Sequence, residues 1–381
     1  MQPIYLDNAA STRVSDDVLA LMTEVMRTAW GNPSAQHPQG AAARAYIESG
    51  RTRLLAALGD TRHAGDIVWT SGCTEADAIA VLGAAHVRQG GIVLSSIEHP
   101  AVSAAAGKLA SDGRTVVHVG PGPDGVIEPA AVAEAARGAG VVAMVMVQNE
   151  LGTVQPVAAI AQAVRAVAPG CHIHLDAAQA FGKIPIDVTA LDIDSLAIAG
   201  HKLHAPKGIG ALWLKNGVSV EPLWIGGGQQ KGLRGGTQDA PSAAALGLAA
   251  ERAVAALPSM RTRWLELASR VSQILDDKHV AHRRLVPDQR RSPHILALGF
   301  HGVPASAMRN VLSSRGVYIS TGSSCAERDA KPSAALAAIG LPQDFGMARL
   351  SFGHDTTTAD VEAATVILAE VVGELTARTP S

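Results

Sequence analysis

With 381 residues, 47% of them hydrophobic and only 3% aromatic, the chain can bury a large core built mainly of Ala, Val, Leu and Ile; that length favours two domains, one of them large. A formal charge of −2 and a pI near 6.7 exclude a basic nucleic-acid footprint or a polybasic membrane surface, so no direct nucleic-acid or membrane binding is expected. The one local exception, Lys278, His279, His282, Arg283, Arg284, Arg290 and Arg291, reads as a solvated surface.

Cys73, Cys171 and Cys325 are too few, and odd in number, for a disulfide framework, which fits a reducing cytoplasm. The opening residues have neither the basic region nor the apolar core of a signal peptide. The longest apolar run, residues 140–147, is far short of the roughly 20 residues that span a bilayer. A soluble cytoplasmic protein is expected.

In chain order, residues 4–12 read as a short strand entering a turn, and Ser15 caps a helix to about residue 28. Two prolines make 31–38 a loop, followed by an Ala/Arg helix over about 40–58 and a strand over 66–70. Ser71-Gly-Cys-Thr-Glu75 then opens an Ala-rich helix; strand, small-residue turn and helix start together form an anion cradle, or else an ordinary cap at Thr74. From there strands (92–95, 115–119, 141–148, 172–175, 195–199, 211–214) alternate with Ala-rich helices, the pattern of a mostly parallel sheet covered on both faces. A Gly-rich loop at 226–237 is too long for a tight turn and is expected to reach another surface. A long helix over about 241–278 leads to strands near 295–299 and 317–320, a second, α+β domain. The expected division is an N-terminal segment 1–11, a large domain 12–250 and a small domain 251–381.

Ligands of such sheets gather at the carboxyl ends of the strands, where Thr74, His99, Asn149, Asp176 and Lys202 all fall. An Asp and a Lys closing neighbouring strands suit the two ends of pyridoxal 5'-phosphate. The lysine forms a Schiff base with the aldehyde, and the acid keeps the ring nitrogen protonated. Read singly, Lys202 is a solvated loop charge and His99 a turn residue before Pro100. The rival reading takes His172, His174 and Asp176, on one face of a strand by period two, as metal ligands of a hydrolase, and leaves Lys202 without a role.

The chain resembles the cysteine desulfurases of the class V, fold-type I pyridoxal phosphate enzymes. The resemblance runs almost the whole length, through Tyr5-Leu-Asp-Asn8, Ser71-Gly-Cys-Thr-Glu75, Glu98-His-Pro100, Gln148-Asn-Glu150, Asp176-Ala-Ala-Gln179, His201-Lys202, Arg234-Gly-Gly-Thr237, Gly322-Ser-Ser-Cys325 and Ala348-Arg-Leu-Ser351. It implies that Lys202 carries the cofactor and shuttles the Cα proton, that Asp176 pairs with the ring nitrogen, and that His99 stacks on the ring and moves a proton. Gln179 and Asn149 would donate to the ring oxygen or substrate. Cys73, Thr74, His201 and Thr237 of a second subunit would hold the phosphate, which implies a homodimer with a shared active site. Arg349 would clamp the carboxylate of L-cysteine, and Cys325, in a small, polar stretch, would attack the substrate sulfur and carry a persulfide to an acceptor protein.

Several positions depart from the family pattern: Ala199 replaces a serine of the phosphate site, Gly235 replaces a serine, and His354 stands where some relatives have arginine. Six residues separate Cys325 from Pro332, the longer-loop type, and the chain ends soon after Arg378, which suggests a specialised acceptor. The chain is also similar to the desulfurases of bacterial DNA phosphorothioation, so iron–sulfur assembly and phosphorothioation are both candidate destinations. Selenocysteine lyase shares this chemistry, a class V aminotransferase needs no Cys325, and an inactive structural subunit would need neither Lys202 nor Cys325.

Overall fold

A computed structural model describes residues 3–322, 333–342 and 344–378; Cys325 lies outside them. The chain opens with β1 (Ile4–Tyr5), α1 (Asp16–Thr28) and α2 (Pro38–Ala57), and then enters the alternating region. That region runs β2 (Gly65–Thr70), α3 (Cys73–Val87), β3 (Gly91–Ser95), α4 (Pro100–Ser111), β4 (Val116–Val119), α5 (Pro129–Ala135), β5 (Ala139–Val145), α6 (Val157–Val167), β6 (His172–Asp176), β7 (Ser195–Ala199) and β8 (Gly210–Lys215). Its strands form one seven-stranded sheet in the order β2-β8-β7-β6-β5-β3-β4. All neighbours are parallel except at β8, which runs antiparallel to both β7 and β2. The expected mostly parallel α/β sheet is therefore present.

Helices cover both faces, as the apolar strands require. In α6 the buried residues Val157, Ile160, Ala161 and Val164 follow the i, i+3, i+4, i+7 spacing of a one-sided helix. By contrast, α3 is buried on most of its circumference, with Ala76, Ile79, Ala80 and Ala84 against the sheet. Small residues let α2 approach the next helix closely: a Cβ on Gly50 would sit 2.4 Å from the Ala243 carbonyl oxygen.

That next helix, α7 (Ala240–Asp277), joins two cores. Its first half, through Ala253, packs with the sheet's core; beyond Leu257 and Pro258 it packs Trp264, Leu267 and Val271 into a second core. The switch falls at the helix-interior proline, where a bend is expected. The second core holds β10 (Ile295–His301), α8 (Ala305–Ser314), β11 (Val317–Tyr318), β12 (Phe345–Ser351) and α10 (Thr358–Arg378), preceded by the two-residue β9 (Arg283–Arg284); α9 (Ala334–Ala338) leans on the first core. Strand β12, which periodicity did not single out, is an edge strand that pairs along its whole length with the central β10 and carries Arg349 opposite Ala297. Ile4 and Leu6 return to this second core, and β1 pairs with β11. The N-terminal segment is thus strapped across both cores. No helix among the described residues is long and apolar enough to cross a membrane.

The basic cluster is largely neutralised by its own surroundings. Arg284 and Arg291 both pair with Asp288, Arg290 pairs with Asp124, and Arg291 is buried, donating to the carbonyls of Ser292, Pro293 and Ile295.

Candidate active site

A cavity of about 640 Å³ opens at the carboxyl ends of the parallel strands. It straddles the point where connections leave in opposite directions, from β3 outward to β4 and from β5 inward to β6, as expected for such sheets. Cys73, Thr74, His99, Asn149, Asp176, Gln179, His201, Lys202 and Arg349 all line it. Thr237 does not: it is exposed and lines a separate hollow with Trp30 and Asn32.

Lys202 closes a short 3-10 turn directly after β7. Its Nζ donates to the carbonyls of Ala9 (2.6 Å) and Ala10 (2.7 Å) on the N-terminal strap. Burial, with Arg349 nearby, lowers its ammonium to about 8, so a neutral amine is accessible close to physiological pH. One strand over, Asp176 ends β6 with its carboxylate buried; Oδ1 accepts from the Ala178 amide at 2.8 Å and lies 3.5 Å from Cys73 Sγ. Burial and Asp176 push the Cys73 thiol well up, so it remains protonated and is the donor of that pair.

Helix α3 begins at Cys73 with Gly72 as its cap residue and no side-chain cap bond, which leaves the first amides of the helix free to face the cavity. Gly210 on β8 abuts this end: a Cβ there would lie 2.6 Å from Gly72 Cα, so only glycine lets the cradle close against the sheet. Glu75 Oε1 accepts from Arg234 Nε at 2.8 Å and anchors the Gly-rich loop to the same helix end. His201 Nδ1 lies 3.3 Å from Ser11 Oγ, a cavity-lining hydroxyl on the strap. Burial lowers its imidazole to about 4, so it is neutral.

His99 lines the cavity and is also the turn residue ahead of Pro100. Its Nδ1 accepts from the Ala101 amide at 3.1 Å and caps α4 ahead of Pro100, which leaves the hydrogen of the neutral ring on Nε2. Gln179 Nε2 donates to the Ala9 carbonyl at 2.7 Å while Oε1 meets His294 Nε2 at 3.2 Å. Arg349 Nη1 donates to the Asn149 carbonyl and Nη2 to Asp7 Oδ1, both at 2.7 Å, and its buried Nε has no partner among the described residues.

Asp7, Ser11 and the Ala9 and Ala10 carbonyls escaped sequence reasoning, and only the Tyr5-Leu-Asp-Asn8 motif hinted at them. His354 lies outside the cavity, stacked on His204 at 4.6 Å and against Trp264 at 6.0 Å. The metal reading of His172, His174 and Asp176 fails: the two imidazoles do share a strand face, but they bond to Ser195 Oγ and His174 also to Asp77.

Residues 4–364 match the aminotransferase class-V family model. The chain is 34% identical to the cysteine desulfurase of Gluconacetobacter diazotrophicus over 388 residues, covering 100% of this chain and 96% of that one. It is 33% identical to the cysteine desulfurase IscS of Methanosarcina thermophila, covering 99% and 94%. Among solved structures, a NifS-like protein superposes with a TM-score of 0.91 at 29% identity, covering 98% of this chain and 100% of that one. SspA in complex with cysteine gives 0.79 at 33% (91% and 98%), and DndA from Streptomyces lividans 0.74 at 32% (91% and 100%).

Proposed function

The chain belongs to the aminotransferase class-V family and, within it, to the pyridoxal phosphate-dependent cysteine desulfurases, and from that premise we propose that the cavity between Asp176 and Lys202 is where it takes sulfur from L-cysteine. The observation that carries this reading is the juxtaposition of an easily deprotonated lysine, a buried carboxylate on the adjacent strand and a bare helix N-terminus. Those three groups match the aldehyde, ring nitrogen and phosphate of the cofactor in charge and chemistry.

When bound, the cofactor supplies an electron sink for the substrate's Cα. Asp176 would hold the ring nitrogen, His99 would stack on the ring, and Gln179 and Asn149 would donate to the ring oxygen or to substrate. The amides of Cys73 and Thr74 would hold the phosphate together with His201 and with Thr237 of a second subunit. Thr237 is exposed and lines a hollow separate from its own cavity, which supports a homodimer with shared sites. Ser11 replaces the hydroxyl missing at Ala199. Lys202, freed from the Ala9 and Ala10 carbonyls, would hold the cofactor and would take the Cα proton. Arg349 turns from Asp7 to the substrate carboxylate. The Cys325 thiolate then attacks the substrate sulfur: the S–S bond forms as the C–S bond breaks, the electron pair stays with the carbon fragment, and that fragment takes protons through His99 and Lys202 to leave as L-alanine. Cys325 keeps the persulfide and passes it to a cytoplasmic acceptor protein.

Sulfur-labelled L-cysteine tests this. Label should map to the Cys325 peptide, and Cys325→Ser should keep the visible band of the lysine-bound cofactor while losing alanine formation. Undiminished alanine from that variant would remove Cys325 from the mechanism. Onward passage of label in a host extract separates an iron–sulfur scaffold from a DNA-modification protein as the acceptor.

A further inference from the structure

From Cys73 and Asp176 at the cavity floor runs a line of buried polar side chains, Asp77, His174, Ser195 and His172, that the reaction above does not use. Cys73 Sγ lies 3.5 Å from Asp176 Oδ1 and 4.0 Å from Asp77 Oδ1. Asp77 Oδ1 lies 3.0 Å from His174 Nε2, His174 Nδ1 is 2.9 Å from Ser195 Oγ, and Ser195 Oγ is 2.8 Å from His172 Nε2. Asp77, His172, His174 and Ser195 are each 0% exposed. Two atoms of the line have no partner, Asp77 Oδ2 and His172 Nδ1.

One hydroxyl hydrogen between two neutral imidazoles allows only two polarities. In the first, Asp77 O–H donates to His174 Nε2, His174 Nδ1–H to Ser195, and Ser195 O–H to His172 Nε2. In the second, every hydrogen points the other way and Asp77 Oδ1 accepts from His174 Nε2–H, the arrangement that suits a carboxylate. Burial keeps His174 at about 3 and His172 well below its usual range, so neither imidazole takes up the extra proton. The groups that face Asp77 are Cys73 on its own helix, His174 and Asp176 on β6, and Glu98 after β3. They are acids or neutral groups; burial, Asp176 and Glu98 all push the Asp77 carboxyl well up. A second buried carboxylate beside Asp176 is therefore costly until a cation arrives there.

We propose that Asp77 is a positioning residue for the cofactor: it holds a proton while Asp176 lacks a cationic partner, and releases that proton to solvent when a protonated ring binds. The imidazole–serine–imidazole line reverses its hydrogens to hold the new carboxylate; no bond between heavy atoms changes. Two carboxylates joined through the Cys73 thiol then stand behind the ring and keep the lysine-bound cofactor protonated to higher pH. This rests on the reading that pyridoxal phosphate sits with its ring nitrogen at Asp176.

Two measurements test it. In histidine-15N-labelled wild-type protein, His174 should change from the Nδ1–H to the Nε2–H tautomer when pyridoxal phosphate is added. In a pH titration of the visible band, Asp77→Asn should lower the midpoint by about 0.5–1 pH unit, the scale of one partly screened charge. Ser195→Ala, which cuts the line between the imidazoles, should lower it less. An unchanged His174 tautomer overturns the proposal, as does an Asp77→Asn midpoint equal to the wild type's. The NMR arm needs no substitution, so a variant that fails to fold does not shelter the idea. A wild-type protein that develops no visible band would sink the cofactor reading itself, whereas a band with an unmoved tautomer sinks only this proposal.

Discussion

Replacing Arg349 with lysine isolates the fork from the charge. The guanidinium is 3% exposed and already spends two donors on Asn149 O and Asp7 Oδ1, each at 2.7 Å. A lysine at this position keeps a cation beside Asp7, so the cost of an unpaired buried carboxylate is avoided. It cannot, however, reach the Asn149 carbonyl, Asp7 and a substrate carboxylate in one plane. The loss is about one charge-assisted hydrogen bond, roughly 1.5–3 kcal/mol, which converts to about a 10- to 150-fold fall in kcat/KM. The contact is made in ground and transition states alike, so the fall should appear mainly in KM for L-cysteine, with the visible band intact. Steady-state alanine formation measures it. A KM within twofold of wild type would refute the assignment and leave Arg349 as a strut between Asp7 and the Asn149 loop.

Three further predictions follow from the site. Because Lys202 is lowered to about 8 while an unfolded lysine titrates near 10.5, the free protein binds fewer protons than its unfolded chain between those values. This group's burden on stability is thus full below about 8 and relieved as pH rises towards 10.5, and cofactor capture by the free protein should accelerate with pH to a plateau above about 8; a flat capture profile in stopped-flow absorbance would contradict the lowered amine. Glu98 is pushed up to about 8 by burial, its Oε1 accepting from the Val145 amide at 2.8 Å and its Oε2 unpartnered. The folded state therefore holds a proton that the unfolded chain has lost between about 4.5 and 8, stability falls across that window as pH rises, and Glu98→Gln should raise Tm at pH 8–9 but not at pH 5. Finally, Thr237→Ala should weaken cofactor retention, and mixing it with Lys202→Ala should restore intact sites at subunit exchange; no recovery would mean that each chain completes its own site.

Much of the architecture was legible because its signals are local. Alternation of apolar strands with Ala-rich helices identifies the sheet, and the ends of those strands pick out Asp176 and Lys202, since a polar group that closes an apolar run must stand at the rim. His99 announced itself by preceding Pro100, the same geometry that makes it a cap. The strap was invisible for the opposite reason. Asp7 meets Arg349 at a separation of 342 residues, and Lys202 is held by carbonyls 192 and 193 residues away, contacts that leave no periodicity. The direction of β8 and the pairing of β12 with β10 were likewise hidden, because strand direction and pairing are properties of neighbours rather than of a run of residues.

The amino-acid order by itself determined which residues end their strands, and so which chemistry could be assembled, because side-chain period acts over a few residues. The tertiary structure alone decided protonation and orientation. Lys202 becomes an easily neutralised amine, and Asp77, His174, Ser195 and His172 become a dry polar line, only when the sheet and α3 close over them, since the cost of a charge depends on how much water remains within reach and no local pattern records that.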